Sequence, residues 1–124
     1  MVKDIAIMMN MSEDEVRNHP HLLINAFDHD HRVLFWNRQC EKYFGIREED
    51  ALGKKVEDIV LHSRNNKKME YLEKALSGQP VYVADRYDIR QGSYDQAVLP
   101  IKASDGKVIA AVNIVVDVSL SFPG

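Results

Sequence analysis

The sequence predicts one α+β domain, and three observations point to this class. With 124 residues the chain has the size of one domain with one core, because two domains of half this length would each bury too little surface. Helical and strand-like segments alternate up to about residue 80, after which apolar residues recur at period two. An apolar share of 45% and a charged share of 28% are typical of a globular protein.

Two short helices are predicted at the N terminus. The first has apolar residues at helical spacing, namely Val2, Ile5, Ala6 and Met9. The second begins with a capping box, in which the Ser12 hydroxyl accepts from the amide of Glu15 and the Glu15 side chain reaches back, and it ends before Pro20. We expect residues 1–20 to form a helical cap or a dimerisation segment.

A β-hairpin and a helix are predicted next. Residues 22–28 and 32–36 have strand-like composition, and the short polar connector between them is typical of adjacent antiparallel strands. Asn37 is suited to cap the following helix, which Gly45 ends. Two shorter helical pieces are expected at residues 48–51 and 56–60.

The C-terminal part predicts a longer helix and three strands. From residue 66 to residue 76 the apolar positions form a stripe opposite Lys and Glu, and Gly78 closes this helix. The Asp105-Gly106 pair is a strong hairpin signal between the last two strands. The three strands are predicted at residues 81–87, 94–103 and 108–118, and residues 120–124 are expected to be a linker or an expression boundary.

Asn113 stands out in the last predicted strand. Period two places it on one face with Ala111 and Val115, while the other face is aliphatic. An amide within a run of Val and Ile costs free energy unless it forms hydrogen bonds, and the same holds for Gln96 in the preceding strand. The sequence leaves two interpretations open: these amides contact a ligand, or they bond one another or the backbone in a filled core.

Several motifs, in order along the chain, resemble those of the PAS domain of signalling proteins. Residues 28–37 are similar to the first hairpin of that family, and residues 37–45 resemble its Asn-x-x-x-Glu-x-x-x-Gly helix. Residues 104–107 resemble a later hairpin, and residues 117–119 are similar to the triplet that closes the domain. The resemblance implies a PAS domain over residues 21–119.

This resemblance implies a five-stranded antiparallel sheet of order 2-1-5-4-3, with helices on one face around a cavity that in many members holds a small ligand or cofactor. The face of the last strand that carries Asn113 would point to this cavity. The other face would be covered by the N-terminal helix of the same chain or by a second subunit, which suggests a homodimer. His31 replaces the usual hairpin glycine, and histidine can adopt a positive φ at some cost.

By the same resemblance, nine residues are expected to surround a ligand. The polar contacts would be Asn25, Tyr94, Gln96 and Asn113, and the apolar walls would be Val33, Phe35, Phe44, Leu72 and Val98. Asp117 and Ser119 would pass the signal on to an effector such as a histidine kinase, a cyclic-dinucleotide enzyme or a transcription activator. The chain is thus expected to be a sensory domain, and the alternative is a ligand-free dimerisation scaffold.

The cofactor, if one is bound, stays unknown, and neither heme nor photoactive flavin is supported. In heme-binding members the axial histidine lies in the long helix, near the position of Lys67 here, and His62 lies about a turn and a half earlier. The photoactive flavin needs a cysteine just before the long helix. Residues 56–61 contain no cysteine, and Cys40 lies in another helix.

No metal site or catalytic centre is expected. Four histidines lie between residues 19 and 31, but roughly 23 Å of extended chain separates the pair His19 and His21 from the pair His29 and His31. The acidic residues cluster at predicted helix starts, where they interact favourably with the helix dipole and face water. We therefore expect no enzymatic activity.

Charge and hydropathy argue against two further classes. A net charge of -3 and a short basic cluster at Arg64, Lys67 and Lys68 do not favour nucleic-acid binding. No apolar run approaches the roughly 20 residues of a membrane span, and no secretory signal is recognisable, so a cytoplasmic location is expected. Cys40, the single cysteine, is either a buried small hydrophobe or a reactive thiol.

Overall fold

The computed structural model describes residues 1–59, 66–88 and 92–117. Helices α1 (Val2–Met9) and α2 (Glu13–Asn18) precede strands β1 (Leu22–Phe27) and β2 (Val33–Trp36). The helices that follow are α3 (Arg38–Phe44), α4 (Glu48–Ala51), α5 (Val56–Ile59) and α6 (Asn66–Leu76). Strands β3 (Val81–Asp88), β4 (Gly92–Lys102) and β5 (Val108–Asp117) complete the described chain.

The five strands form one antiparallel sheet of order β2-β1-β5-β4-β3, which confirms the predicted α+β fold and topology. β5 lies in the centre and pairs with β1 on one side and β4 on the other. Because β1 and β5 are far apart in sequence, their pairing joins the two halves of the chain. The predicted positions His62, Ser119 and 120–124 lie outside the described residues, as does the last residue of the strand that was predicted at residues 108–118.

The local signals at the helix ends act as predicted. The Ser12 hydroxyl accepts from the amide of Glu15 at 3.0 Å, and the Glu15 carboxylate accepts from the amide of Ser12 at 3.1 Å. The hydrogen bond from the Ser12 amide is the largest of the interactions that lower the pKa of the Glu15 carboxyl, and the Ser12 side chain adds to it. His31 takes φ +65° in the hairpin, and its imidazole contacts Glu57 of α5 and Glu73 of α6, so that it ties the hairpin to both helices.

Two core layers lie on opposite faces of the sheet. We call the face toward α3, α4, α5 and α6 the inner face, and the face toward α1 and α2 the outer face. On the outer face, Ile5 of α1 and Val16 of α2 are fully buried against Ile24 and Val112 of the sheet. The N-terminal helices of the same chain therefore cover at least this part of the outer face. Among the described residues, no helix is both long and apolar enough to cross a membrane.

Asn37 connects the outer layer, the sheet and the inner helices. Its Oδ1 accepts from the amides of Ile24 at 3.1 Å and Cys40 at 3.2 Å, which caps α3 as predicted. Its Nδ2 donates to the carbonyls of Val16 at 3.1 Å and Leu22 at 2.8 Å. The side chain is buried, so if it were removed, water could not reach these four backbone groups and take its place as their hydrogen-bond partner.

Cys40 lies in the inner core and is a buried small side chain, the first of the two alternatives that the sequence left open. It is fully buried, and its thiol donates to the carbonyl of Ile24 at 3.2 Å. Burial raises the pKa of the Cys40 thiol to about 12, against smaller opposing effects of nearby hydrogen bonds. The folded chain thus holds this side chain as a neutral thiol.

We predict that Asn37→Ala lowers the free energy of unfolding by about 3 kcal/mol, because it removes a helix cap and leaves buried amides and carbonyls without partners. Urea denaturation followed by circular dichroism measures this change. Asn18→Ala is the matched control, since Asn18 is exposed and bonds only within its own helix, to Asp14. A loss for Asn37→Ala no larger than for Asn18→Ala would contradict this role.

We predict that folded Cys40 reacts with Ellman's reagent at pH 8 about a thousandfold more slowly than in the urea-unfolded chain, because the thiolate is the reactive species. Since the folded pKa exceeds the unfolded pKa of about 8.5, the thiol favours folding most below pH 8.5, and this contribution falls as the pH rises toward 12. Equal rates in the folded and unfolded chain would show that the thiol is accessible.

Candidate functional site

A cavity of about 100 Å³ lies between the inner face of the sheet and helices α3, α5 and α6. The sheet supplies residues from β1, β4 and β5, and the helices supply mainly aromatic and aliphatic side chains. The described lining is Leu23, Asn25, Phe27, Tyr43, Phe44, Val56, Met69, Leu72, Tyr94, Gln96, Val98, Asn113 and Val115. These side chains are apolar or uncharged polar ones, so the site is suited to a neutral molecule.

Three amide side chains cross the floor of the cavity, and we call Asn25, Asn113 and Gln96 the amide row. Asn25 and Asn113 are directly paired residues of β1 and β5, and Asn113 donates to Asn25 Oδ1 at 3.0 Å. Gln96 of β4 lies diagonally across from Asn113 and donates to Asn113 Oδ1 at 2.7 Å. The row arises because period two places one amide per strand on the inner face of three adjacent strands.

The amide row is incomplete at one end. Gln96 Oε1 is buried and has no hydrogen-bond partner among the described residues. Such an atom costs free energy relative to its hydrated state, because folding removes water and supplies nothing in its place. The row therefore supports both interpretations that the sequence left open, since the amides bond one another and yet leave one acceptor unused.

The apolar wall is built around Phe44. Its ring lies 5.0 Å from the Trp36 ring and 4.8 Å from the Tyr43 ring, measured between centroids. Trp36 is fixed in turn by a 3.0 Å hydrogen bond from its indole N–H to the carbonyl of Ile46. Because both neighbours hold it, Phe44 presents a rigid aromatic surface to the cavity.

Seven of the nine residues predicted to surround a ligand line this cavity, which follows from comparing the predicted set with the lining. They are Asn25, Phe44, Leu72, Tyr94, Gln96, Val98 and Asn113. Val33 is buried in the inner core but lies beside the cavity, where its amide and carbonyl bond the backbone of Lys54 and Gly53. It packs under the connection between α4 and α5.

The predicted position of Phe35 in the cavity wall is wrong. Phe27 pairs with Val33 and Ala26 pairs with Phe35, so β2 carries one extra residue, Leu34, opposite β1. This β-bulge reverses the alternation of β2, and Phe35 packs in the outer core instead. There the Arg17 guanidinium lies 5.7 Å from the centre of its ring.

Six lining residues were not predicted, and the sequence carried signals for several of them. Leu23 and Phe27 lie two residues to either side of Asn25, and Val115 lies two residues beyond Asn113, so period two assigns them to the same face. Met69 lies on the apolar stripe of α6 one turn from Leu72, so helical spacing indicated it as well. Tyr43 and Val56 come from α3 and α5, where facing the cavity depends on how each helix packs.

The predicted cofactor and signal positions are only partly described. Lys67 lies in α6, and Asp117 is the last residue of β5, but the placement of neither side chain is described.

The histidines that were considered as metal ligands contact other groups. His29 Nε2 lies 2.7 Å from the carbonyl of Val108, and the His19 and His21 rings are 6.2 Å apart. Within the described part of the chain, no three metal-binding side chains are grouped to hold an ion.

Comparison with known proteins supports the fold. The model of the PAS fold family matches residues 18–121. The PAS domain of histidine kinase ThkA is 20% identical, with 78% of this chain and 98% of that chain covered and a TM-score of 0.63. The PAS domain of Bordetella pertussis BvgS is 21% identical, with 81% and 78% covered and a TM-score of 0.63.

A structure of VqmA bound to DPO is 15% identical, with 86% of this chain and 56% of that chain covered and a TM-score of 0.66. VqmA is a protein of Vibrio cholerae. The search of curated proteins found no significant match. Identities at this level show a shared fold, and the family match, which extends over more than half of the chain, shows that this protein belongs to the PAS family.

Proposed function

We propose that this protein is a sensory PAS domain that binds a small ligand in its cavity and relays the change through β5 to an effector domain. The observation that carries the proposal is the amide row in the floor of an otherwise apolar cavity, with one buried acceptor unused. An apolar pocket with a few convergent polar groups is the usual form of a small-molecule site.

The solved structures give precedents for both parts of this proposal. ThkA is a histidine kinase, and VqmA has been solved with DPO bound. For this chain, we propose that Asn113 carries the ligand signal into β5 and that Asp117 and Ser119 pass it on. β5 supports this role because it is central in the sheet and ends at Asp117.

The proposal places no catalytic step in the cavity. Its described lining contains amides, phenols, a thioether and hydrocarbon side chains, which bind a molecule without supplying a carboxylate or an imidazole for proton transfer. We also propose a cytoplasmic location, which fits a single free thiol in a core without disulfides.

A second candidate function, dimerisation, is favoured by exposed apolar side chains. Ile7 of α1 is 72% exposed. Tyr82 of β3 is 74% exposed and lies on a separate shallow groove, whose apolar members include Ile114 and Val116. Single exposed apolar residues are ordinary, but in a homodimer the exposed side of α1 in each copy can pack against this groove of the other copy. We propose that two copies associate through α1 and the outer face.

We predict that native mass spectrometry of the purified chain shows a small molecule bound and that Val98→Phe abolishes it, because the larger ring fills the cavity. Val98 is buried and lines the cavity, so circular dichroism must confirm that the variant is folded. Leu99→Phe is the matched control, since Leu99 is the next residue of β4 and contacts the outer core. A bare-chain mass for the wild type, or a ligand retained by folded Val98→Phe, would contradict the proposal.

We predict that deleting residues 1–11 exposes the outer face and changes the oligomeric state or the solubility, as measured by size-exclusion chromatography with light scattering. Ile7→Glu should convert a dimer to a monomer without uncovering the core, because its side chain points away from the sheet. Lys3→Glu, also on an exposed position of α1, controls for charge. If the truncated chain stays soluble with the same oligomeric state, α1 has no such role.

A further inference from the structure

The hydrogen bonds of the amide row all run in one direction. Asn113 of β5 donates to Asn25 Oδ1 of β1 at 3.0 Å, and Gln96 of β4 donates to Asn113 Oδ1 at 2.7 Å. Both donors therefore point the same way across the sheet, from β4 through β5 to β1.

This direction determines which atom is left over at the far end. Asn113 donates to Asn25 and accepts from Gln96, and Gln96 donates to Asn113. Gln96 is the last member and no other member donates to it, so the atom without a partner is its oxygen, Oε1. Turning the Gln96 amide around would place two oxygens against each other at the contact with Asn113.

The size and lining of the cavity restrict what can supply the missing donor. A cavity of about 100 Å³ is somewhat smaller than one of roughly 150 Å³ that accepts benzene, so we expect a ligand about the size of one small ring. Aromatic and aliphatic walls favour a flat apolar body. A charged group would lose its hydration without finding a counter-charge in the described lining.

We propose that the cavity selects a neutral single-ring compound whose N–H or O–H group donates to Gln96 Oε1. This inference rests on the proposed small-ligand function and adds the chemistry that the ligand must have. Compounds of the same shape that only accept hydrogen bonds, or have no polar group, leave Gln96 Oε1 unpaired and bind more weakly.

Phenol and toluene test this selectivity on the full chain, because they have nearly the same shape and only phenol carries a donor. Titrations followed by ¹H–¹⁵N NMR give both dissociation constants. We expect phenol to bind about tenfold more tightly, which corresponds to one hydrogen bond of typical strength. In Gln96→Met, which keeps the side-chain length without the amide, the preference should fall to within about twofold while toluene binds as before.

Gln79→Met is the matched control, since Gln79 is exposed and distant in sequence from the cavity strands, and it should keep the phenol preference. Equal binding of phenol and toluene to the wild type would overturn the donor inference and leave the small-ligand proposal standing. A phenol preference that survives in folded Gln96→Met would overturn the assignment to Gln96. If neither probe shifts any cavity resonance, this inference fails, while the native mass spectrum decides the small-ligand proposal separately.

Discussion

The arrangement of the whole domain depends on the buried side chain of Asn37. One amide group satisfies two backbone donors and two backbone carbonyls that belong to α2, β1 and α3. Only the carboxamide group combines two acceptor lone pairs and two N–H donors in a small neutral side chain, and besides asparagine only the longer glutamine carries it. By fixing the start of α3 relative to β1, Asn37 sets where Phe44 and Cys40 enter the inner core, and so it positions the aromatic wall of the cavity.

Much of this fold could be predicted because its local signals agree with one another. The capping box, the Asn37 cap and the Asp105-Gly106 turn are decided within a few residues. Alternation groups the residues within β4 and within β5, and the family resemblance placed Gln96 and Asn113 on the same face, as the β4 and β5 register has them. The outcome for Phe35 shows where such reasoning ends. A β-bulge at Leu34 shifts the alternation by one residue, and its position depends on how β1 and β2 pair and not on the composition of either strand.

The site was harder to predict than the fold because it depends on contacts between distant segments. Period two could indicate that Asn25 and Asn113 need partners, but only the β1 and β5 register brings them face to face. The same applies to Tyr43 and Val56, which reach the cavity through the packing of two separate helices. The sequence also could not decide between ligand contact and mutual bonding of the amides, since the row shows both a connected series and an unused acceptor at its end.

The position of β5 gives the proposed relay a physical basis. Asn113 and Val115 face the cavity, whereas Val112 between two inner-face residues, Ala111 and Asn113, packs beneath α1 and α2 in the outer core. Successive residues of one strand cannot move independently, because the backbone is held by ladders on both sides. In the proposed relay, a ligand that moves the backbone at Asn113 would move Val112 with it, and a close-packed outer layer has little free volume to absorb such a shift. The outer helices and the end of β5 are therefore the elements that, in this proposal, would transmit binding from the cavity.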